Sequence, residues 1–194
     1  MQQARFIYLI LPMAACTRWK VFFPVLILCV SLLGMAVSVR GDAALIQDVC
    51  SKTSRPFYCK TCYELNRKSS QDQNVKDLGR TSIGCASLEF EIFRSTLRSL
   101  MINPKNLGPG LQDACNHCIS LLEDVDKKLQ NALLKWQHAS YDSSSLQMFI
   151  AANILDDSCG REMKKFNLPM SLADKLVALD GFIQASIGVL DQIQ

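Results

Sequence analysis

Leu111–Trp136 reads LQDACNHCISLLEDVDKKLQNALLKW, and its apolar residues recur at steps of three and four. Leu111, Ala114, Cys118, Leu122, Val125, Leu129, Ala132 and Trp136 therefore fall on one stripe of a helix, with charged residues between them. Such a stripe has to be buried against other helices, because packing of the apolar face supplies most of a helix's stability. Three further segments have the same period. Val75–Met101 carries Leu78, Ala86, Phe90, Phe93, Leu97 and Leu100; Ser144–Phe166 carries Met148, Ala152, Leu155, Cys159, Met163 and Phe166; Leu172–Ile193 carries Leu172, Leu176, Leu179, Ile183 and Leu190. The breaks are Asn103-Pro104 with Gly108-Pro109-Gly110, then Tyr141–Ser143, whose serines suit capping, then Asn167–Met170. Ser171 followed by Asp174 is similar to a capping box. Four long helices on short loops predict an all-α fold, an antiparallel up-down-up-down four-helix bundle. No strand pattern competes.

Upstream, Ala43–Cys50 and Phe57–Lys68 read as short helices separated by Ser51–Pro56, since proline disfavours helix before it. They predict an N-terminal helical hairpin, joined to the bundle by the polar connector Ser69–Asn74. Val21–Val39 is an unbroken apolar run, preceded by Arg18 and Lys20. Ala36 with Ser38, or Val39 with Gly41, supplies small residues for cleavage. This is the layout of a secretory signal peptide over 1–41, and a start at Met13 would give it a more ordinary length. A membrane anchor is the competing reading, because the run is nearly long enough to span. Pro24 and the small-residue end favour cleavage, leaving a domain over 42–194 with no membrane attachment. That domain is long enough to bury its own core. Removing residues 1–41 takes away Arg5, Arg18, Lys20 and Arg40 from 21 basic residues, leaving 17 against 18 acidic ones. Near-neutrality offers no basic field for nucleic acid.

Of nine cysteines, Cys16 and Cys29 lie in the leader, and seven enter an oxidising compartment. An odd number leaves at least one thiol free or intermolecular. Cys50 and Cys59 flank the break of the hairpin and would close a short loop. Cys118 lies about 27 Å along its helix from the loop it shares with the next, and Cys159 about 22 Å, at 1.5 Å per residue. Antiparallel packing thus brings two inward-facing cysteines within about a turn of each other. Cys115, one turn from Cys118, competes for Cys159. Cys85 and Cys115 differ in height by roughly 18 Å, so Cys85 reads as a core thiol, and Cys62 with Cys115 stays open.

Chemistry finds little support. Cys59–Cys62 and Cys115–Cys118 are Cys-x-x-Cys pairs, but the gap between them far exceeds that of a zinc ribbon, and no cofactor or metal is expected. His117 and His138 lack the orienting partners of a nucleophile pair. Asp156-Asp157 and Glu123-Asp124-Asp126 read as solvated faces rather than paired catalytic carboxylates. No phosphate loop, dinucleotide loop or hydrolase elbow occurs. The chain reads as a non-enzyme.

Cys50-Ser-Lys-Thr53-Ser-Arg-Pro56-Phe-Tyr-Cys59, Ala114–Cys118 followed by Leu122, Val125 and Leu129, and Ala151-Ala152-Asn-Ile-Leu-Asp-Asp-Ser158-Cys159 together resemble the plant pectin methylesterase inhibitor and invertase inhibitor family. The resemblance covers about Asp42–Gln194. It implies a four-helix bundle with an N-terminal hairpin and disulfides Cys50–Cys59 and Cys118–Cys159. It also implies a secreted protein of the cell wall, or of the vacuole, that occludes the active-site cleft of pectin methylesterase or of invertase. Invertase inhibitors typically carry Pro-Lys-Phe between the second and third long helices, where this chain has His138-Ala139-Ser140-Tyr141-Asp142-Ser143. That departure favours the esterase. Ala139, Ser140, Tyr141, Asp142 and Ser143 are the candidate partner contacts. A secreted four-helix signalling protein is the alternative of a different class; it would show longer crossover loops.

Overall fold

The computed structural model describes residues 43–66, 74–102, 104 and 107–193. The leader over 1–41 with Cys16 and Cys29, most of the Ser69–Asn74 connector, the end of the helix expected to reach Lys68, and Asn103 lie outside the described residues. Among the described residues there is no strand, and no helix is long and apolar enough to cross a membrane. The first helix, α1, is described over 43–51. It is followed by α2 (Pro56–Leu65), α3 (Val75–Ile102), α4 (Pro109–Gln137) and α5 (Tyr141–Asn153). α5 continues without a break into a π-helical stretch, Ile154–Gly160, and a closing α turn, Arg161–Met163. The last helix, α6, is Met170–Leu190.

Local chemistry sets the starts. Pro56 and Pro109 each sit in the first turn of their helix, where the missing N–H costs nothing. Asn74 Oδ1 accepts the Asp77 N–H at 3.0 Å, capping α3. Two expected starts are corrected. α6 begins at Met170 because the Pro169 carbonyl, on extended backbone, accepts from Leu172 and Ala173, so Ser171 lies inside the helix and forms no capping box. α5 begins at Tyr141 with no side-chain cap from Ser140. The next serines tie helices together instead: Ser144 Oγ donates to the Ala132 carbonyl at 2.7 Å, and Ser145 Oγ to Asp191 Oδ1 at 2.5 Å.

The four long helices form the expected antiparallel bundle: α3 and α5 each pack on both α4 and α6. The register is legible in cross-helix pairs. Ser82 meets Ser186 while Glu89 meets Lys175, so α3 and α6 run oppositely. Arg94 meets Asp126 while Lys76 meets Trp136, so α3 and α4 do too. Phe90, Phe93, Leu97, Leu122, Val125 and Leu129 are buried, as is the whole α6 stripe; Leu100 and Trp136 are partly buried. Burying one such side chain contributes about 1.5–3 kcal/mol. An exposed ion pair contributes about 0–1 kcal/mol, so the core, not the surface charge, holds the bundle. Glu89 is the charged side chain that does enter it. Lys175 Nζ stands 3.3 Å from its Oε1, close enough for an ion pair but without hydrogen-bond alignment.

The third long helix departs from a plain α-helix for a geometric reason. Met148, Ala152, Leu155, Cys159 and Met163 are all buried. From the first to the last is fifteen residues, which at about 100° each turns roughly 60° past four full turns. The wider turns of the π stretch take up that excess and keep the stripe on one face. Phe166, expected on the stripe, lies beyond the helix, and its ring covers Gly110 at the start of α4.

The hairpin of α1 and α2 docks on α6 and α3. Tyr58 meets Phe182 edge to face at 5.4 Å, Tyr63 Oη donates to the Leu78 carbonyl at 3.0 Å, and Gln192 Nε2 donates to the Val49 carbonyl at 3.0 Å. A Cβ on Gly181 would overlap the Tyr58 ring, so glycine is what lets the hairpin approach. Cys50 is bridged to Cys59, Cys118 to Cys159 with Cα atoms 4.6 Å apart, and Cys62 to Cys85. The last pair corrects the reading of Cys85 as a core thiol and of Cys62 with Cys115: Cys85 lies on the face of α3 that meets the hairpin. Among the described residues Cys115 is the free cysteine, fully buried in α4.

Removing the bridges pairwise with serine should cost stability in the order of the loops they close, Cys118–Cys159 most and Cys50–Cys59 least, from about 4 to about 2.5 kcal/mol. Urea titration of the three double variants checks the order. Gly181→Ala should destabilise by about 1–3 kcal/mol through overpacking against Tyr58. Gly84→Ala, with nothing within 4 Å of the new Cβ in the middle of α3, should stabilise by about 0.5–1 kcal/mol. Equal thermal shifts for the two would show that Tyr58 does not rest on Gly181.

Candidate functional site

α4 ends in a Schellman motif. Ser140 N–H donates to the Lys135 carbonyl and Ala139 N–H to the Trp136 carbonyl, both at 2.9 Å. This motif needs a left-handed residue just past the helix, usually glycine, and the chain supplies alanine: Ala139 has φ 55°, the one positive φ at a non-glycine among the described residues. The reversal sends the chain straight into α5. His138, Ala139 and Ser140 are thus the whole connection, and Tyr141, Asp142 and Ser143 form the first turn of α5 rather than a loop.

The surroundings fix this turn. Ser144 and Ser145 anchor the chain behind it to α4 and to the end of α6. Trp136 Nε1 donates to the Lys76 carbonyl at 3.1 Å, Lys76 Nζ lies 5.5 Å from the Tyr141 ring centre, and Arg80 stacks on Trp136 at 5.9 Å. Ala139–Ser143 then line one side of a shallow hollow of about 550 Å³, closed on the other side by Asp191 and Ile193. Ala139, Ser140, Asp142 and Ser143 are exposed, and Tyr141 is half-buried. All five expected contacts therefore share one end of the bundle, on backbone held by hydrogen bonds at both flanks. What such a surface offers is shape and exposed hydrogen-bonding groups.

The other candidates are spent elsewhere. Asp156 pairs with Lys164 at 2.9 Å and Asp157 with Arg161; Glu123 pairs with Lys127 at 2.8 Å, and Asp126 with Arg94 at 3.3 Å. The Lys127 ammonium holds the Glu123 carboxyl below its usual range, and Lys165 does the same for Glu162. Each carboxylate cluster is thus largely neutralised by its own helix or its neighbour. His117 and His138 are exposed. Burial pushes the Cys115 thiol up, away from the thiolate that a nucleophile requires. The two Cys-x-x-Cys pairs are divided among three disulfides and one thiol, which leaves no thiolate set for a metal.

Sequence reasoning missed the Cys62–Cys85 bridge and the left-handed Ala139. The first could have been considered from the short chain distance between hairpin and α3; the second had no signal, because the letter expected at that position is glycine.

No family model and no curated protein matches this chain. Among solved structures, its fold matches mutant form A of a pectin methylesterase inhibitor from Arabidopsis, with a TM-score of 0.65 at 15% identity, over 75% of this chain and 95% of that one. It also matches a pectin methylesterase inhibitor from Arabidopsis thaliana, with a TM-score of 0.57 at 17% identity, over 79% of this chain and 98% of that one. At these identities the likeness is one of fold.

Replacing Ala139 by glycine should relieve the left-handed strain and raise stability by about 1 kcal/mol. Thermal unfolding of Ala139→Gly against the parent checks it; a lower midpoint would mean that the Schellman turn is not what orders this end.

Proposed function

We propose that the chain is a secreted protein inhibitor that occludes the active-site cleft of a pectin methylesterase. The observation that carries this reading is the fold match, which runs over nearly the whole length of two pectin methylesterase inhibitors rather than over a shared fragment. The sequence resemblance in the Cys50–Cys59 and Ala151–Cys159 stretches supports it independently. So does the construction of the site: Ala139, Ser140, Tyr141, Asp142 and Ser143 present an ordered turn that loses little entropy on docking. Residues 1–41 act as the export signal, and the cell wall, where disulfides persist, is the site of action. The chain performs no catalysis of its own in this reading; its partner is the enzyme.

The test is a titration of the exported protein against a pectin methylesterase and, in parallel, an acid invertase. The esterase should lose its activity at about one equivalent of inhibitor, and invertase should keep its own. Asp142→Arg with Ser143→Arg, both exposed positions, should weaken esterase inhibition by at least about tenfold while leaving the fold intact by circular dichroism. Inhibition of invertase alone would move the target, and no slowing of either enzyme at micromolar protein would overturn the inhibitor reading.

A further inference from the structure

The π-helical stretch shapes a second feature, at the opposite end of α5 from Ala139–Ser143. A groove of about 320 Å³ opens between this stretch and α6, within the size range of small-molecule sites. Its floor is apolar: Leu155 from the π stretch, Leu168 from the following loop, and Ala173, Leu176 and Val177 from α6. Gly160 keeps the wall thin. A Cβ there would stand 3.1 Å from the Leu155 carbonyl oxygen and 3.5 Å from Asp156 Oδ1. Val177 is left 59% exposed at the groove although it is a large aliphatic residue.

The charges around this floor cancel. Arg55 from the hairpin pairs with Asp180 at 3.3 Å, and Lys164 pairs with Asp156 at 2.9 Å. Two cations and two anions line the groove with no net charge. The guanidinium carries five N–H donors and the ammonium three, and these contacts use one of each. A charged ligand meets as many like charges as opposite ones here and gains no net attraction from the rim. A neutral hydrogen-bonding group can use the spare donors or the second carboxylate oxygens without breaking either pair.

We infer that this groove binds a small uncharged molecule with an apolar body of one or two rings and a single hydroxyl or carbonyl group. The rings bury against Leu155, Leu176 and Val177, and the polar group lies at the ion-paired rim. π-helical stretches recur at functional sites, and this one supplies a wall of the groove as well as half of the Cys118–Cys159 bridge. The site is separate from the esterase-binding turn and does not depend on the inhibitor reading.

The test titrates ¹⁵N-labelled exported protein with 2-naphthol, and with its isosteres 2-naphthoate and protonated 2-(aminomethyl)naphthalene, followed by amide shifts. The neutral compound should saturate with a Kd of about 0.1–1 mM, the range expected for a ligand of its size. Shifts should centre on residues 155–177, and both charged isosteres should bind at least fivefold more weakly. Val177→Asp, at an exposed position, should weaken 2-naphthol at least fivefold, and Ala173→Phe should do so by filling the groove; circular dichroism checks that both fold. Absence of saturation at 5 mM, equal binding of a charged isostere, or unchanged binding in both variants overturns the proposal. Self-association of the parent that Val177→Asp abolishes would assign the groove to a second copy of the chain and overturn it equally.

Discussion

The antiparallel seam between α4 and α5 carries the rest of the molecule. Near one end the Cys118–Cys159 bridge joins the two helices in the core; at the other, Ser144 Oγ is bonded to the Ala132 carbonyl just before the chain reverses. Between these points the register cannot slip without breaking a covalent bond or orphaning a buried hydroxyl. A seam fixed at both ends determines where the Ala139–Ser143 turn stands and where the π stretch must fall.

The hairpin adds a different kind of constraint. Its two short helices cannot bury enough apolar surface to be stable alone. They are held by a bridge within the hairpin, by a second bridge to α3, and by the seat that Gly181 opens for Tyr58 on α6. Arg55 then reaches Asp180, which makes the hairpin part of the rim of the groove beside α6. A segment that looks like an appendage in the sequence is therefore covalently and sterically part of the domain. For a protein read as a plug for an enzyme's cleft, this rigidity matters: order already present in the free state is not lost again on binding.

Electrostatics plays a lesser part. The acidic clusters that stand out in the sequence are matched by lysines and arginines a turn away or on the neighbouring helix. They shape the surface without creating a strong field, in keeping with a domain close to neutral. In the proposed inhibitor reading, specificity toward a partner would rest on shape and on a few hydrogen-bonding groups rather than on net charge.

The four long helices, their stripes and the bundle they form were legible in the sequence, because an amphipathic period of 3.6 is a local property that survives in any sequence whose helices share one core. Met148 through Met163 illustrate the limit: the buried stripe was readable, but not the π turns that keep it aligned, since those arise from fitting the stripe to α4 and α6. The five residues of the candidate turn were also placed between the second and third long helices, but as a loop, whereas three of them open α5. Their hollow with Asp191 and Ile193 was not legible, because the end of α6 lies some fifty residues away in the chain. The cysteines divide along the same line. Sequence could count seven in the domain and bring Cys159 within reach of α4, where two cysteines one turn apart stood as alternatives. Whether Cys62 meets Cys85, and which sulfur of α4 is left over, depended on where the hairpin lies and on a difference of one helical turn. Local periodicity determines the elements and their buried faces; only the three-dimensional packing decides which faces touch, because contacts between distant segments are set by the total fit of the core.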